Sequence, residues 1–200
     1  MTLDIEGTKK FHGHSCPGLA IGIRAAEIAL REIGPHSSDE EIVAIVETDM
    51  CGVDAIQYLT GCTFGKGNLI HLDYGKNAFT FIRRSDGKAL RIVMRPDGFG
   101  PPGPERQALF ERVRSGAATE EEQARFGALH GQRAQQVLDA PEEALFDVRE
   151  VEPVVPARAR VMASLACEAC GEMAMETRTR RFQGRTLCIP CFEAVENRYA

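Results

Sequence analysis

Two CxxC pairs near the C-terminus constrain this chain more than any other feature. Cys167-Glu168-Ala169-Cys170 and Cys188-Ile189-Pro190-Cys191 are separated by seventeen residues. Each pair delivers two sulfurs to one point, and two pairs at this spacing complete the tetrahedron of thiolates that a structural zinc ion takes. Gly171, just after the first pair, lets the backbone turn tightly. Residues 173–181 and 185–188 flank Phe182-Gln183-Gly184 and predict a hairpin, and residues 192–198 predict a helix. A knuckle, a hairpin and a helix carrying the last ligand make a zinc-ribbon or treble-clef module. The competing uses of Cys167, Cys170, Cys188 and Cys191 are free or redox-active thiols, or an iron centre with the same four ligands.

The remaining three of the seven cysteines, Cys16, Cys51 and Cys62, lie in the first third. An odd count excludes complete internal pairing. The N-terminus, Met1-Thr2-Leu3-Asp4-Ile5-Glu6, is acidic with no apolar stretch behind it, so the expectation is a cytoplasmic chain in which disulfides need not be invoked. No apolar run approaches the roughly 18–20 residues of a membrane span. The net charge of −5 argues against a whole-protein electrostatic grip on nucleic acid. Arg178, Arg180, Arg181 and Arg185 cluster on the predicted hairpin. Residues 157–200 nevertheless carry seven basic and five acidic side chains, and a zinc ion with four thiolates cancels that surplus. A solvated hairpin face is the preferred reading, with a protein partner second.

Residues 1–95 alternate helical and extended patterns. Leu19, Ile23, Ala26 and Leu30 predict a helix over 17–33, stopped by Gly34-Pro35. Strands are expected at 42–46, 68–73, 78–82 and 89–94, with a short helix at 53–59 and a turn at Ser85-Asp86-Gly87-Lys88. Residues 95–104 form a breaker-dense linker. Two polar helices follow, at 104–115 and from Thr119 to about 138, the second opened by a Thr119/Glu122 capping box. A strand is expected at 145–151, and Pro153 and Pro156 mark the passage between a core at 1–156 and a zinc module at 157–200.

The chemistry of the core concentrates in Phe11-His12-Gly13-His14-Ser15-Cys16-Pro17-Gly18. Pro17 suits the first helical position, which makes Cys16 the N-cap. A thiol there faces unpaired N–H groups, so its pKa is expected to fall, the more so beside His12 or His14. Cys51 also stands where a strand hands over to a helix. Cys62 and Lys66 lie in a glycine-rich loop, 60–68, which either exposes N–H groups to an anion or is simply a tight turn. If 52–61 is helical, Cys51 and Cys62 stand about 15 Å apart along its axis, too far for one metal within one chain. The economical set is His14 and Cys16 with one of Cys51 or Cys62. Three such ligands would suit a soft divalent metal and leave one position open.

Taken together, the blocks FHGHSCPGLAIGIRAA (11–26), ETDMCGVDAIQYLTGCTFGKGNL (47–69), DYGKNAF (73–79), CEACGE and CIPC resemble the FmdE family, named for the E component of formylmethanofuran dehydrogenase. The resemblance implies an α+β core, a mixed β-sheet flanked by helices, with a C-terminal zinc finger. It implies His14, Cys16, Cys51 and Cys62 as the functional cluster, with Lys66, Asp54 and Arg24 as lesser members. It implies a homodimer, which would also answer the Cys51–Cys62 separation, and association with a molybdenum or tungsten enzyme of one-carbon metabolism. The expected function is a metal-binding accessory protein with structural zinc and a second metal in the core. The alternative is a thiol- or metal-dependent oxidoreductase using Cys16 as nucleophile or redox thiol.

Overall fold

The computed structural model describes residues 3–98, 100–101 and 103–197. Met1-Thr2 of the acidic start, Phe99 and Pro102 of the expected linker, and Arg198 of the expected last helix lie outside them. The chain divides into two compact units, Met1–Arg158 and Ala159–Ala200.

The first unit is built on a five-stranded mixed sheet in the order β2-β1-β3-β4-β5. Its strands are β1 (Ile42–Val46), β2 (Leu69–His71), β3 (Ala78–Arg83), β4 (Ala89–Met94) and β5 (Phe146–Glu150). Only β1 and β2 run parallel. Alternation along each strand sorts side chains between two faces. Ala44, Phe81 and Leu90 stand in register, as do Val46, Phe79 and Ile92, and all join the main core. The intervening Val43, Ile82 and Ala89 form a smaller cluster on the opposite face. Phe79 and Phe81 are fully buried, each contributing about 2–3 kcal/mol of hydrophobic stabilisation.

Helices cover the main core. They are α1 (Ile5–His12), α2 (Pro17–Glu32), α3 (Gly52–Thr60), α4 (Pro104–Arg114), α5 (Glu120–Asp139) and the one-turn α6 (Glu142–Leu145). The most buried is α2, with Leu19, Ile23, Ala26 and Ile28 inside. It packs on α3 and α5. The capping box opens α5 as expected, and only Ala134 and Val137 of that helix are buried. Arg112–Glu122 and Arg125–Glu105, both at 2.7 Å, tie α4 to α5, but solvent screens such exposed pairs and they contribute little.

The core sequence hid one helix, and one expected strand needs correction. Residues 5–12 are helical, although their pattern carries no buried apolar stripe; only Thr8 is buried. Asp4 caps this helix through a bond from the Gly7 N–H, and Gly13 at φ 93° ends it. The strand expected at 68–73 shortens to three residues, Leu69–His71, and the side chain of Asn68 just before it accepts from the Thr63 N–H and donates to the Ile42 carbonyl of β1.

The second unit holds β6 (Ser164–Ala166), β7 (Met173–Met175), β8 (Thr179–Phe182), β9 (Arg185–Cys188) and α7 (Ile189–Glu196). β6–β7 and β8–β9 are separate hairpins. The single strand expected over 173–181 is therefore broken, by a 3₁₀ turn at Glu176–Arg178. The helix starts at Ile189, ahead of the last ligand, because Pro190 suits its first turn. Arg178, Arg180, Arg181 and Arg185 are all exposed. Among the described residues no helix is long and apolar enough to cross a membrane.

Candidate functional site: two sulfur-bearing donor sets

In the second unit the sulfurs of Cys167, Cys170, Cys188 and Cys191 all lie within 4.8 Å of one another. The Gly171 N–H donates to the Cys167 carbonyl at 2.9 Å, closing the knuckle, and Gly171 adopts φ 78°. The Cys188 N–H donates to Cys167 Sγ at 3.3 Å. Backbone N–H groups of Cys170, Cys188 and Ala169 hold the Cys167 thiol down at about 6. The crowding of Cys188 and Cys170 pushes Cys191 up to about 12. Four sulfurs this close ionise together only around a cation, and the set fits structural zinc.

The core set comes from three segments. His12 is the last residue of α1, Cys16 caps α2, and Cys51 immediately precedes α3. With His14 on the loop between α1 and α2, their ligand atoms again all lie within 4.8 Å of one another. The left-handed Gly13 reverses the chain after α1 and so returns His12 towards Cys16. The His12 and His14 rings stand 4.4 Å apart, centre to centre. His12 Nε2 is 3.9 Å from Cys16 Sγ, and His12 Nδ1 is 2.7 Å from Asp54 Oδ2.

Small residues make the convergence of Cys16 and Cys51 possible. A Cβ on Gly22 of α2 would lie 2.2 Å from the Gly52 carbonyl oxygen of α3, so the two helices touch backbone to backbone. A Cβ on Gly18 would lie 3.3 Å from Cys51 Cβ, so Gly18 leaves the room that the Cys51 side chain occupies. Beside the set, a cleft of about 490 Å³ is lined by His12, Cys51, Asp54, Gln57, Phe64 and His71, among others.

Cys16 caps its helix as expected, its sulfur accepting from the Leu19 N–H at 3.3 Å. The expected fall in its pKa does not follow. Cys16 is only 3% exposed, and burial, followed by the neighbouring Cys51 sulfur, outweighs that N–H and pushes the thiol up to about 11. The N–H contributes one hydrogen bond, whereas burial removes most of the hydration that a thiolate needs.

His14, Cys16 and Cys51 are thus brought together, and Cys62 is not among them. Its sulfur donates to the Ile42 carbonyl at 3.4 Å, it is fully buried, and burial raises its thiol. Lys66 donates its ammonium to the Ser37 carbonyl at 2.9 Å. In the glycine-rich loop the N–H groups of Cys62, Thr63, Phe64, Lys66 and Gly67 all have acceptors inside the protein, so it is a braced turn. Arg24 caps the end of α5, donating to the Leu138 carbonyl and to that of Ala140 at 2.8 Å. His12, absent from the expected ligand set, joins it. The signal was an Asp4 cap, then a glycine stop eight residues beyond the start of the helix, which together make His12 a helix terminus. Four donor atoms thus stand together there, one more than the three expected. The Cys51–Cys62 separation no longer calls for a second copy of the chain.

Known proteins extend this picture. The family described as "FmdE, Molybdenum formylmethanofuran dehydrogenase operon" matches residues 11–147, and the "Prokaryotic dksA/traR C4-type zinc finger" matches residues 162–197. A "Probable S-adenosyl-L-methionine-binding protein" of Archaeoglobus fulgidus is 38% identical over 192 residues, which are 92% of this chain and 50% of that protein. The chain thus spans about half the length of this curated relative. A tungsten formylmethanofuran dehydrogenase FmdE-like protein from Syntrophus aciditrophicus superposes with a TM-score of 0.60 at 23% identity, over 98% of this chain and 92% of that one. That likeness is one of fold. Since the family match spans most of the chain and takes in the whole core donor set, this protein belongs to the FmdE family and carries a dksA/traR-type C4 zinc finger behind its core domain.

Proposed function

We propose that this FmdE-family protein is a metal-binding accessory protein whose core site holds a soft divalent cation on behalf of a partner metalloenzyme. The observation that carries the reading is the convergence of His12, His14, Cys16 and Cys51 from three chain segments to within 4.8 Å. Mixed imidazole and thiolate donors suit zinc and its soft neighbours, and a cation there supplies the charge that offsets two adjacent thiolates. His14 is exposed and Cys16 buried, so the set meets solvent on the His14 side. The family description, with its molybdenum enzyme, and the tungsten enzyme named for the structural neighbour support a molybdenum or tungsten enzyme of the formylmethanofuran dehydrogenase type as the partner. The seven free cysteines suit a reducing, cytoplasmic setting.

Metal analysis of the purified chain tests this. Two metals per chain are expected, falling to one in Cys16→Ser or Cys51→Ser while the C-terminal site keeps its own. A wild-type chain with one metal sinks the reading. The thiol-enzyme alternative has less support, because a buried Cys16 thiol raised to about 11 is a poor nucleophile near neutrality.

A homodimer is part of the same proposal. Its support is the apolar mouth of the cleft, where Met50 is 61% and Phe64 78% exposed. Sedimentation at tens of micromolar should give twice the 22.0 kDa chain mass, and Phe64→Glu should shift it towards monomer. A wild-type monomer at that concentration would count against the dimer.

A further inference from the structure

We infer that Asp54 is the positioning residue of the core site, holding His12 in the tautomer that aims Nε2 at the two sulfurs. The inference rests on the metal-binding reading above and adds a residue outside the donor set. Asp54 lies in the first turn of α3, three residues beyond Cys51, so one short helical segment supplies both a ligand and the group that orients another ligand.

The geometry is specific. A neutral imidazole has one N–H and one lone pair, and the partner of one nitrogen decides which role falls to the other. With Asp54 Oδ2 at 2.7 Å, Nδ1 carries the proton and donates it to the carboxylate. The lone pair is then on Nε2, which points into the set 3.9 Å from Cys16 Sγ. The His12 side chain is only 11% exposed, so water competes poorly for either nitrogen. Among the described residues no carboxylate grips His14 in this way, and His14 is exposed. The two imidazoles therefore differ in kind: His12 is fixed before any metal arrives, while His14 must be ordered by it. Carboxylates that orient ligating histidines in this way raise metal affinity about 10–100-fold.

The test uses the full chain with zinc retained at the C-terminal cysteines and cobalt(II) as the probe. Thiolate-to-cobalt absorption is followed against a competing chelator. Asp54→Asn and Asp54→Ala are expected to lower core-site affinity about 10–100-fold, and Asp54→Glu to recover part of the loss. Asparagine keeps the size but can donate to Nδ1, which pushes the His12 proton onto Nε2 and blocks ligation. Nitrogen chemical shifts of the zinc-loaded wild type should show His12 protonated at Nδ1 and metallated at Nε2, a signature that a merely structural bond between α1 and α3 would not require. Wild-type cobalt affinity in Asp54→Ala, or a wild-type His12 protonated at Nε2, overturns the inference. That failure is distinct from failure of the metal-binding reading, which would show as equal cobalt uptake by the wild type and Cys16→Ser.

Discussion

Stripping zinc from Cys167, Cys170, Cys188 and Cys191, or replacing Cys191 with serine, is expected to unfold the zinc module, residues 159–197, while the core domain keeps its secondary structure. The expectation follows from how little else holds this unit. Among its described residues the buried ones are Cys167, Leu187 and Cys188, with Ala174, Phe182, Cys191 and Phe192 packed partly against them. Burying Leu187 contributes about 2–3 kcal/mol. Ordering the backbone costs about 1–2 kcal/mol for each residue fixed, so this core cannot order four strands and a helix unaided. Structural zinc in such modules supplies about 10–16 kcal/mol, and that binding energy is folding energy. Limited proteolysis reads the outcome: the chelated or Cys191→Ser chain should lose its C-terminal forty or so residues rapidly and leave a protected core. A tail as resistant as that of the wild type would show that zinc is dispensable there.

Gly22→Ala is expected to destabilise the core domain and to abolish core metal binding together. The new Cβ would sit 2.2 Å from the Gly52 carbonyl oxygen and 2.5 Å from Gly52 Cα, both backbone atoms that cannot swing away. Two effects compete. Replacing a mid-helix glycine with alanine favours the helix by about 1 kcal/mol. Forcing a methyl into a closed contact costs about 3 kcal/mol, so the clash wins by about 2 kcal/mol. To relieve it, α2 and α3 must separate, and they carry Cys16 and Cys51 at their N-terminal ends. Gly131→Ala on α5 is the control: a Cβ there meets nothing within 4 Å, so propensity alone should act and stability should rise by up to about 1 kcal/mol. Thermal melts and metal content together decide the matter. A Gly22→Ala chain with wild-type melting and two metals would mean that the helices yield elsewhere.

Much of the molecule was legible in the sequence because local rules act over short stretches. The two CxxC pairs prescribe a tetrahedral sulfur site whatever surrounds them, since each turn fixes its own two sulfurs. The apolar stripe of Leu19, Ile23 and Ala26 prescribes α2, and Pro17 prescribes Cys16 as its cap, because helix periodicity and the missing proline N–H act within a few residues. The β-branched run at 42–46 and the turn at Ser85-Asp86-Gly87-Lys88 prescribe β1 and the β3–β4 hairpin for the same reason.

What the sequence left open was every question of which separated pieces meet. Cys51 and Cys62 were equivalent candidates along the chain. Tertiary structure separates them: the Gly22–Gly52 contact draws Cys51 to Cys16, while Cys62 turns inward to the Ile42 carbonyl. The cap on Cys16 was legible but the direction of its pKa was not, because an N–H three residues away is local and burial under the rest of the domain is not. His12 became a ligand candidate only once Gly13 had turned the chain and Asp54, forty-two residues later, had taken hold of its other nitrogen. Sequence by itself determined which donors this protein owns and how each element begins and ends. Which donors share one point, and how deeply each is buried, was decided by the tertiary structure alone, because distance and burial depend on packing between segments that are far apart in the chain.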